Sequence, residues 1–113
     1  MPFSAKEVSR EILLSFWKVH ILHHANEGPL HGQWMLKELN HHGYQISPGT
    51  LYPLLARMER LGWLKSNAAR LGGKRARKDY RLTIEGRKVL KHVCEQVEEL
   101  YDEVVAESKR RIR

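Results

Sequence analysis

The chain has 113 residues, 42% of them hydrophobic and 29% charged, with a formal net charge of +7. That length and apolar content fit one small folded domain and exclude a disordered chain, and no apolar run approaches the roughly 20 residues a membrane span needs. The charge is uneven: residues 1–84 hold 13 Lys/Arg against 6 Asp/Glu, residues 85–107 hold 3 against 7, and residues 108–113 add four more bases.

A first helix is predicted from Ser4 and Glu7, which form an S-x-x-E capping box, to about His24. Val8, Ile12, Phe16, Val19 and His23 make one stripe, and Leu13, Trp17, His20 and His24 make a second beside it. Leu14, Ile21 and Leu22 add further apolar surface, so more than half the circumference is apolar. One stripe is expected to face the core. The other, assigned here to Leu13 and Trp17, is expected to meet a second subunit, since small domains often finish their burial by oligomerising.

Asn26-Glu27-Gly28-Pro29 breaks this helix, and a second is predicted from about His31 to His41. Leu36 and Leu39 are its clearest core positions, with Trp34 or Met35 sharing the burial, and Gly43 stops it. A third helix then starts at Ser47, a good N-cap, with Pro48 at the first helical position, where its missing N–H costs nothing. Leu51, Leu54, Leu55, Met58 and Leu61 recur at three- and four-residue steps as one apolar stripe. Thr50, Tyr52, Pro53, Arg57 and Arg60 occupy the other face, and Pro53 removes one backbone hydrogen bond. Two short helices in this order predict a helix-turn-helix whose second helix can enter a DNA major groove.

Past Gly62 the period becomes that of strands. Trp63–Ala68 and Arg77–Leu82 are predicted to form a hairpin, with a basic tip that includes Gly72-Gly73 between them. Arg70, Lys74, Arg75, Arg77 and Lys78 lie within nine residues there, suited to sequence-blind contact with phosphates. Thr83 caps a last helix, along which Leu90, Val93, Val97, Leu100 and Val104 step as a heptad seam. Cys94, Tyr101 and Val105 widen that seam. The division expected is a DNA-binding unit over residues 1–84 and a dimerising helix over residues 85–113.

The stretch ISPGTLYPLLARMERLGWL (46–64) resembles the recognition-helix signature of PadR-type winged-helix transcriptional regulators. So do Gly28-Pro29-Leu30-His31-Gly32 upstream and GGKRARKDYRLT (72–83) downstream, in the family's order and at its spacing. The resemblance covers roughly residues 10–90. It implies a mainly α winged helix-turn-helix with a two-stranded wing and a C-terminal dimerisation helix. It also implies a homodimeric repressor on an inverted-repeat operator in double-stranded DNA, with Ser47, Thr50, Tyr52, Pro53 and the wing as contacts. Arg57 is added from its place on the outer face of the third helix.

Some PadR-type regulators take flat aromatic effectors between the first and last helices of a dimer. Trp17, His20 and Tyr101 are the residues here placed to line such a site, although the last helix carries no Trp. Gln33-Trp34 and Asp79 also depart from the family's usual residues. The expected dimer contacts are Leu13, Trp17, Leu90, Val93, Val97, Leu100, Tyr101 and Val104.

Other functions find less in the residues. A winged helix that docks protein is the alternative from another class, and the basic tip argues against it. His20, His23 and His24, at i, i+3 and i+4, can place two imidazoles on one metal ion. No Asp or Cys stands beside them to complete a set, so a metal-responsive regulator is a lesser alternative and no metal ligand or cofactor is assigned. Catalysis has no nucleophile elbow, no phosphate-cradling glycine loop before a helix and no zinc-ligand set to rest on. The lone Cys94 permits no intramolecular disulfide and is expected to be packed. The N-terminus lacks a signal peptide's apolar core, so the expected location is cytoplasmic and no membrane contact is assigned.

Overall fold

The computed structural model describes residues 2–68 and 78–112. Among the described residues, four helices pack with a small antiparallel sheet, as expected for a mainly α winged helix. Helix α1 runs without a break through Ala5–Val8, a π-helical stretch Ser9–Leu13, and Leu14–Glu27. Strand β1 is Leu30–His31, α2 is Gly32–His41, α3 is Pro48–Arg60, β2 is Leu64–Ala68 and β3 is Lys78–Leu82. Helix α4 spans Ile84–Leu100 and continues through a π-helical stretch, Tyr101–Ala106, into Glu107–Ile112. None of these helices is long and apolar enough to cross a membrane.

The caps at Ser4 and Thr83 follow the sequence. Ser4 Oγ accepts from the Glu7 N–H at 3.3 Å, and Thr83 Oγ1 accepts from the Gly86 N–H at 2.9 Å. Gly43 and Gly62 carry positive φ angles of 96° and 85°, so the chain turns out of α2 and α3 at residues without a Cβ to strain. The sheet has one strand more than the hairpin. Its order is β1-β3-β2, with Leu30 opposite Tyr80 and His31 opposite Asp79 on one side of β3, and Leu64 opposite Leu82 on the other.

One core joins the helices to the sheet's inner face. Ile21, Leu22, Met35, Leu39, Leu51, Leu55, Met58 and Leu64 are fully buried within it. Met35 rather than Trp34 is the second helix's additional core residue, and Leu61 is exposed at the end of α3. Gly86 lets α4 dock closely, because a Cβ there would collide with the Trp63 carbonyl oxygen and stand 2.5 Å from Leu82 Cδ1. Val89 and Leu90 continue that contact with the core.

Three expectations change. Trp17 is 3% exposed and lies in the core, so its stripe faces inward, while Ile12 and Phe16 on the other stripe are exposed. Both stripes of α1 are apolar, and periodicity alone could not choose the roll; the buried set Trp17, Ile21, Leu22 and Ala25 decides it. Leu90, assigned to the dimer seam, is 8% exposed and belongs to this chain's own core. Cys94 is exposed rather than packed.

Candidate nucleic-acid interface

Helix α3 turns Leu51, Leu54, Leu55 and Met58 into the core, which leaves Tyr52, Pro53 and Arg57 on its exposed side. Its start is open. Ser47 occupies the N-cap position in extended backbone (φ −96°, ψ 159°), yet its side chain makes no capping hydrogen bond. The hydroxyl lies 3.4 Å from that of Thr50 instead, while the Ser47 carbonyl accepts from the Thr50 and Leu51 N–H groups at 3.1 and 3.0 Å. Two hydroxyls at the positive end of a helix dipole suit a phosphate oxygen or a base edge. Arg57, about two turns further on, pairs with no carboxylate among the described residues. Helix α3 continues unbroken through Pro53.

Several side chains lock this helix in place, and sequence patterns had not singled them out for it. Asn40, at the end of α2, donates from Nδ2 to the Leu36 and Ile46 carbonyls at 2.7 and 3.3 Å. Its Oδ1 accepts from the Ile46 N–H at 3.4 Å, which pins the link between α2 and α3 on both sides. At the other end, the Glu59 carboxylate accepts from both the hydroxyl and the backbone N–H of Ser66 in β2. The Ser66 hydroxyl bond is the main reason the Glu59 carboxyl titrates below its ordinary range; burial opposes it, and the Ser66 N–H and then Lys78 add smaller downward pushes.

Tyr52 is held by Gly32. A Cβ at Gly32 would stand 2.5 Å from Tyr52 Cε1 and 3.0 Å from both Cζ and Oη, so the ring lies directly on the glycine that opens α2. In β3 the Tyr80 phenol is pushed up, first by burial and then by the Glu59 and Tyr52 groups. Beside them, Asp79 Oδ1 lies 2.6 Å from His31 Nδ1. The contact meets no hydrogen-bond geometry, and it is an ion pair only with the imidazole protonated. The Gly-Pro-Leu-His-Gly block, the Thr-Leu-Tyr-Pro block and the second wing strand therefore meet at one place. That junction lies against the outward face of α3.

The comparisons agree with this arrangement. The family model described as "Transcriptional regulator PadR-like family" matches residues 21–92. The chain is 46% identical over 96 residues to "Transcriptional regulator Rv3488" of Mycobacterium tuberculosis (strain ATCC 25618 / H37Rv), covering 85% of this chain and 89% of that protein. This chain belongs to the PadR-like family of transcriptional regulators. Among solved structures it resembles a PadR family transcriptional regulator from Eggerthella lenta DSM 2243, at 35% identity and a TM-score of 0.68 over 88% of this chain and 90% of that one. A transcriptional regulator from Clostridium thermocellum gives 29% identity and a TM-score of 0.68 over 84% and 95%.

In this PadR-like chain the wing is described only at its base. Lys78 is exposed at the start of β3, whereas Arg70, Lys74, Arg75 and Arg77 lie outside the described residues. Within one chain, two of the three residues assigned to an aromatic effector lie together. Trp17 and His20 both make edge contacts with Tyr44, at ring-centroid distances of 6.0 and 5.5 Å. Tyr101 is exposed on α4 and shares no ring contact with either among the described residues. Trp17 itself is packed into its own chain's core, with 3% of its surface exposed. A groove of about 650 Å³ does run between the start of α1 and the α2–α3 link, bordered by Leu13, Trp17, Tyr44, Ser47 and Thr50.

Of the expected dimer residues, Leu13 is half-buried against the core and Val93 is half-buried, while Val97, Leu100, Tyr101 and Val104 are 46–54% exposed. His20 is half-buried, and desolvation pushes its imidazole pKa below the ordinary value; His42, His24 and His23 push the same way, and Glu38 opposes them.

Proposed function

We propose that this transcriptional regulator binds double-stranded DNA as a homodimer and represses from an inverted-repeat operator. Residues 1–84 read the DNA, and the helix from residue 85 onward joins the two copies. The observation that carries the reading is the division of α3, with four apolar side chains sealed in the core and Tyr52, Pro53 and Arg57 left outward beyond an open start at Ser47 and Thr50. Buried Leu51 and Leu55 fix the roll, so the outward set meets the groove as a unit. Basic side chains of the wing, from Arg70 to Lys78, supply phosphate contacts that hold the register.

Dimerisation is supported by apolar surface that a single copy leaves in water. Val97, Leu100, Tyr101 and Val104 of α4 and Ile12 and Phe16 of α1 are all exposed large apolar residues. Such patches on a small protein mark contact surfaces. Release from the operator follows when a small molecule changes the separation of the two reading helices. The groove beside Ser47 and Thr50 reaches the start of α3 and is the place from which a ligand acts on it.

The test is binding of single variants to operator and scrambled duplex at one salt concentration. Thr50→Ala or Tyr52→Ala should cost on the order of 1–3 kcal/mol on the operator and far less on random DNA. Arg57→Ala should do likewise if it reads a guanine, and should lower both affinities together if it holds a phosphate. If none of the three changes the ratio of specific to non-specific binding, α3 is not the reader.

A further inference from the structure

Histidines that lie apart in the sequence become neighbours in three dimensions. His20 and His24 lie one turn apart on α1, and the fold brings His42, at the C-cap of α2, against them. One ligand atom from each of His20, His24 and His42 lies within 4.8 Å of the other two. The His20 and His42 rings are 5.0 Å apart and nearly parallel, at 28°. Glu38, one turn before His42, places Oε1 2.9 Å from His42 Nε2 and 4.0 Å from His24 Nε2. Tyr44 closes the cluster, its hydroxyl 3.4 Å from His20 Nε2.

We propose that His20, His24 and His42, with the Glu38 carboxylate, form a binding site for one zinc-class divalent metal ion per chain. Three imidazoles and one carboxylate are the donor set such ions take, at about 2.0–2.2 Å from the metal. Donors at the corners of a tetrahedron of that size stand roughly 3.3 Å apart. The histidine nitrogens need to close by about 1.5 Å at most, within reach of small rotations about χ1 and χ2 in side chains that are half-buried or exposed. Harder ions such as Mg²⁺ or Ca²⁺, which take oxygen ligands, do not suit a set of three imidazoles.

A second grouping, His23, His24 and Glu27, competes for His24. All of it sits on one helix, and both His23 and Glu27 are exposed. The His20–His24–His42 set is favoured because it draws on two elements and has Glu38 already beside two of its rings. A metal held there ties the end of α2 to α1, immediately before the link that leads into α3. Trp34, whose ring stands edge-on to His24 at 5.1 Å, is a built-in reporter of the site.

The experiment is a titration of the free 113-residue chain with Zn²⁺ against a chromophoric chelator of micromolar affinity, alongside Co²⁺ absorption, with no DNA present. One ion per chain and an intense visible Co²⁺ band, the mark of tetrahedral coordination, are expected. His20→Ala, His24→Ala and His42→Ala should each weaken Zn²⁺ binding at least tenfold, and Glu38→Gln by a smaller factor. His41→Ala, an exposed neighbour outside the set, should bind as the parent does. Bound Zn²⁺ should also slow amide exchange at Tyr44 and Ile46, and Cu²⁺ should quench Trp34 fluorescence in the parent but not in His42→Ala. Circular dichroism checks the fold of each variant; should His20→Ala unfold, His42→Ala, at an exposed position, carries the same test. Failure of the parent to compete with the chelator would overturn the proposal. So would undiminished binding in His42→Ala, which would place the ion on His23, His24 and Glu27.

Discussion

Gly32→Ala separates the stability of this fold from its reading of DNA. The added Cβ would stand 2.5 Å from Tyr52 Cε1 and 3.0 Å from Cζ and Oη, against an ordinary contact of 3.4 Å or more. The Tyr52 ring must therefore shift by about 1 Å, and a half-exposed ring is able to do so by rotating about its own χ angles. Ala also has the better helix propensity at this position, by at most about 1 kcal/mol. Stability should thus change by less than about 1 kcal/mol, read as a shift of a few degrees in a thermal melt. Operator affinity should fall by roughly tenfold, about 1.4 kcal/mol, because Tyr52 no longer points where α3 presents it. The assay is a double-mutant cycle with Tyr52→Ala on operator and scrambled duplex. In the Tyr52→Ala background the Gly32→Ala penalty should vanish. Wild-type operator binding by Gly32→Ala, or a penalty that persists without the tyrosine, would refute the coupling between the two motifs. Gly86→Ala is the control with the opposite outcome: its Cβ meets a backbone carbonyl and a buried leucine that cannot swing away, so about 1–3 kcal/mol of stability should be lost.

Leu100→Glu or Val97→Glu should yield monomer or aggregate and abolish operator binding, while sedimentation showing the wild type monomeric at micromolar concentration would defeat the dimer. Neutralising Lys74 and Arg75 to Ala should weaken binding to all sequences alike and flatten the log K against log salt slope by about 0.9 for each phosphate that a subunit no longer neutralises; a fall in specific binding alone would make the wing a base reader. Glu59 has a depressed carboxyl pKa in the folded chain, so its contribution is full above the unfolded carboxylate pKa and is lost as pH falls through the folded value. Glu59→Gln should cost about 1 kcal/mol at pH 7 and progressively less on acidification, measured by urea unfolding, and an equal cost at pH 7 and pH ~3 would contradict the carboxylate's role.

The sequence made the architecture legible where one signal dominated. The stripe Leu51/Leu54/Leu55/Met58 had no rival apolar stripe on its helix, so its buried face was fixed by periodicity, and Thr83 announced the last helix by its own capping chemistry. Helix α1 was legible as a helix but not in its roll, because both stripes were apolar and only packing against the rest of the core, with Tyr44 edge-on to the Trp17 ring, selects the Trp17 side. Strand β1 has two residues and makes sense only through its pairing with Tyr80 and Asp79, some 50 residues away. The same holds for side chains that act at a distance in sequence. Asn40 looks like an ordinary helix-end residue until Ile46 returns to it, and His42 gives no hint of His20 until α2 folds back on α1. Asp79, an oddity in the linear pattern, finds His31 across the sheet.

Selection of binding sites from a pool of random duplexes tests the central claim most directly. If two copies of α3 enter successive major grooves about a two-fold axis, the recovered sequences should share an inverted repeat. Its half-sites should be centred one helical turn apart, about 10–10.5 base pairs, or a multiple of that. Enrichment should disappear with Tyr52→Ala while salt-dependent retention of random duplex persists. Recovery of no common sequence, or of a single asymmetric site bound by one chain, would contradict the account.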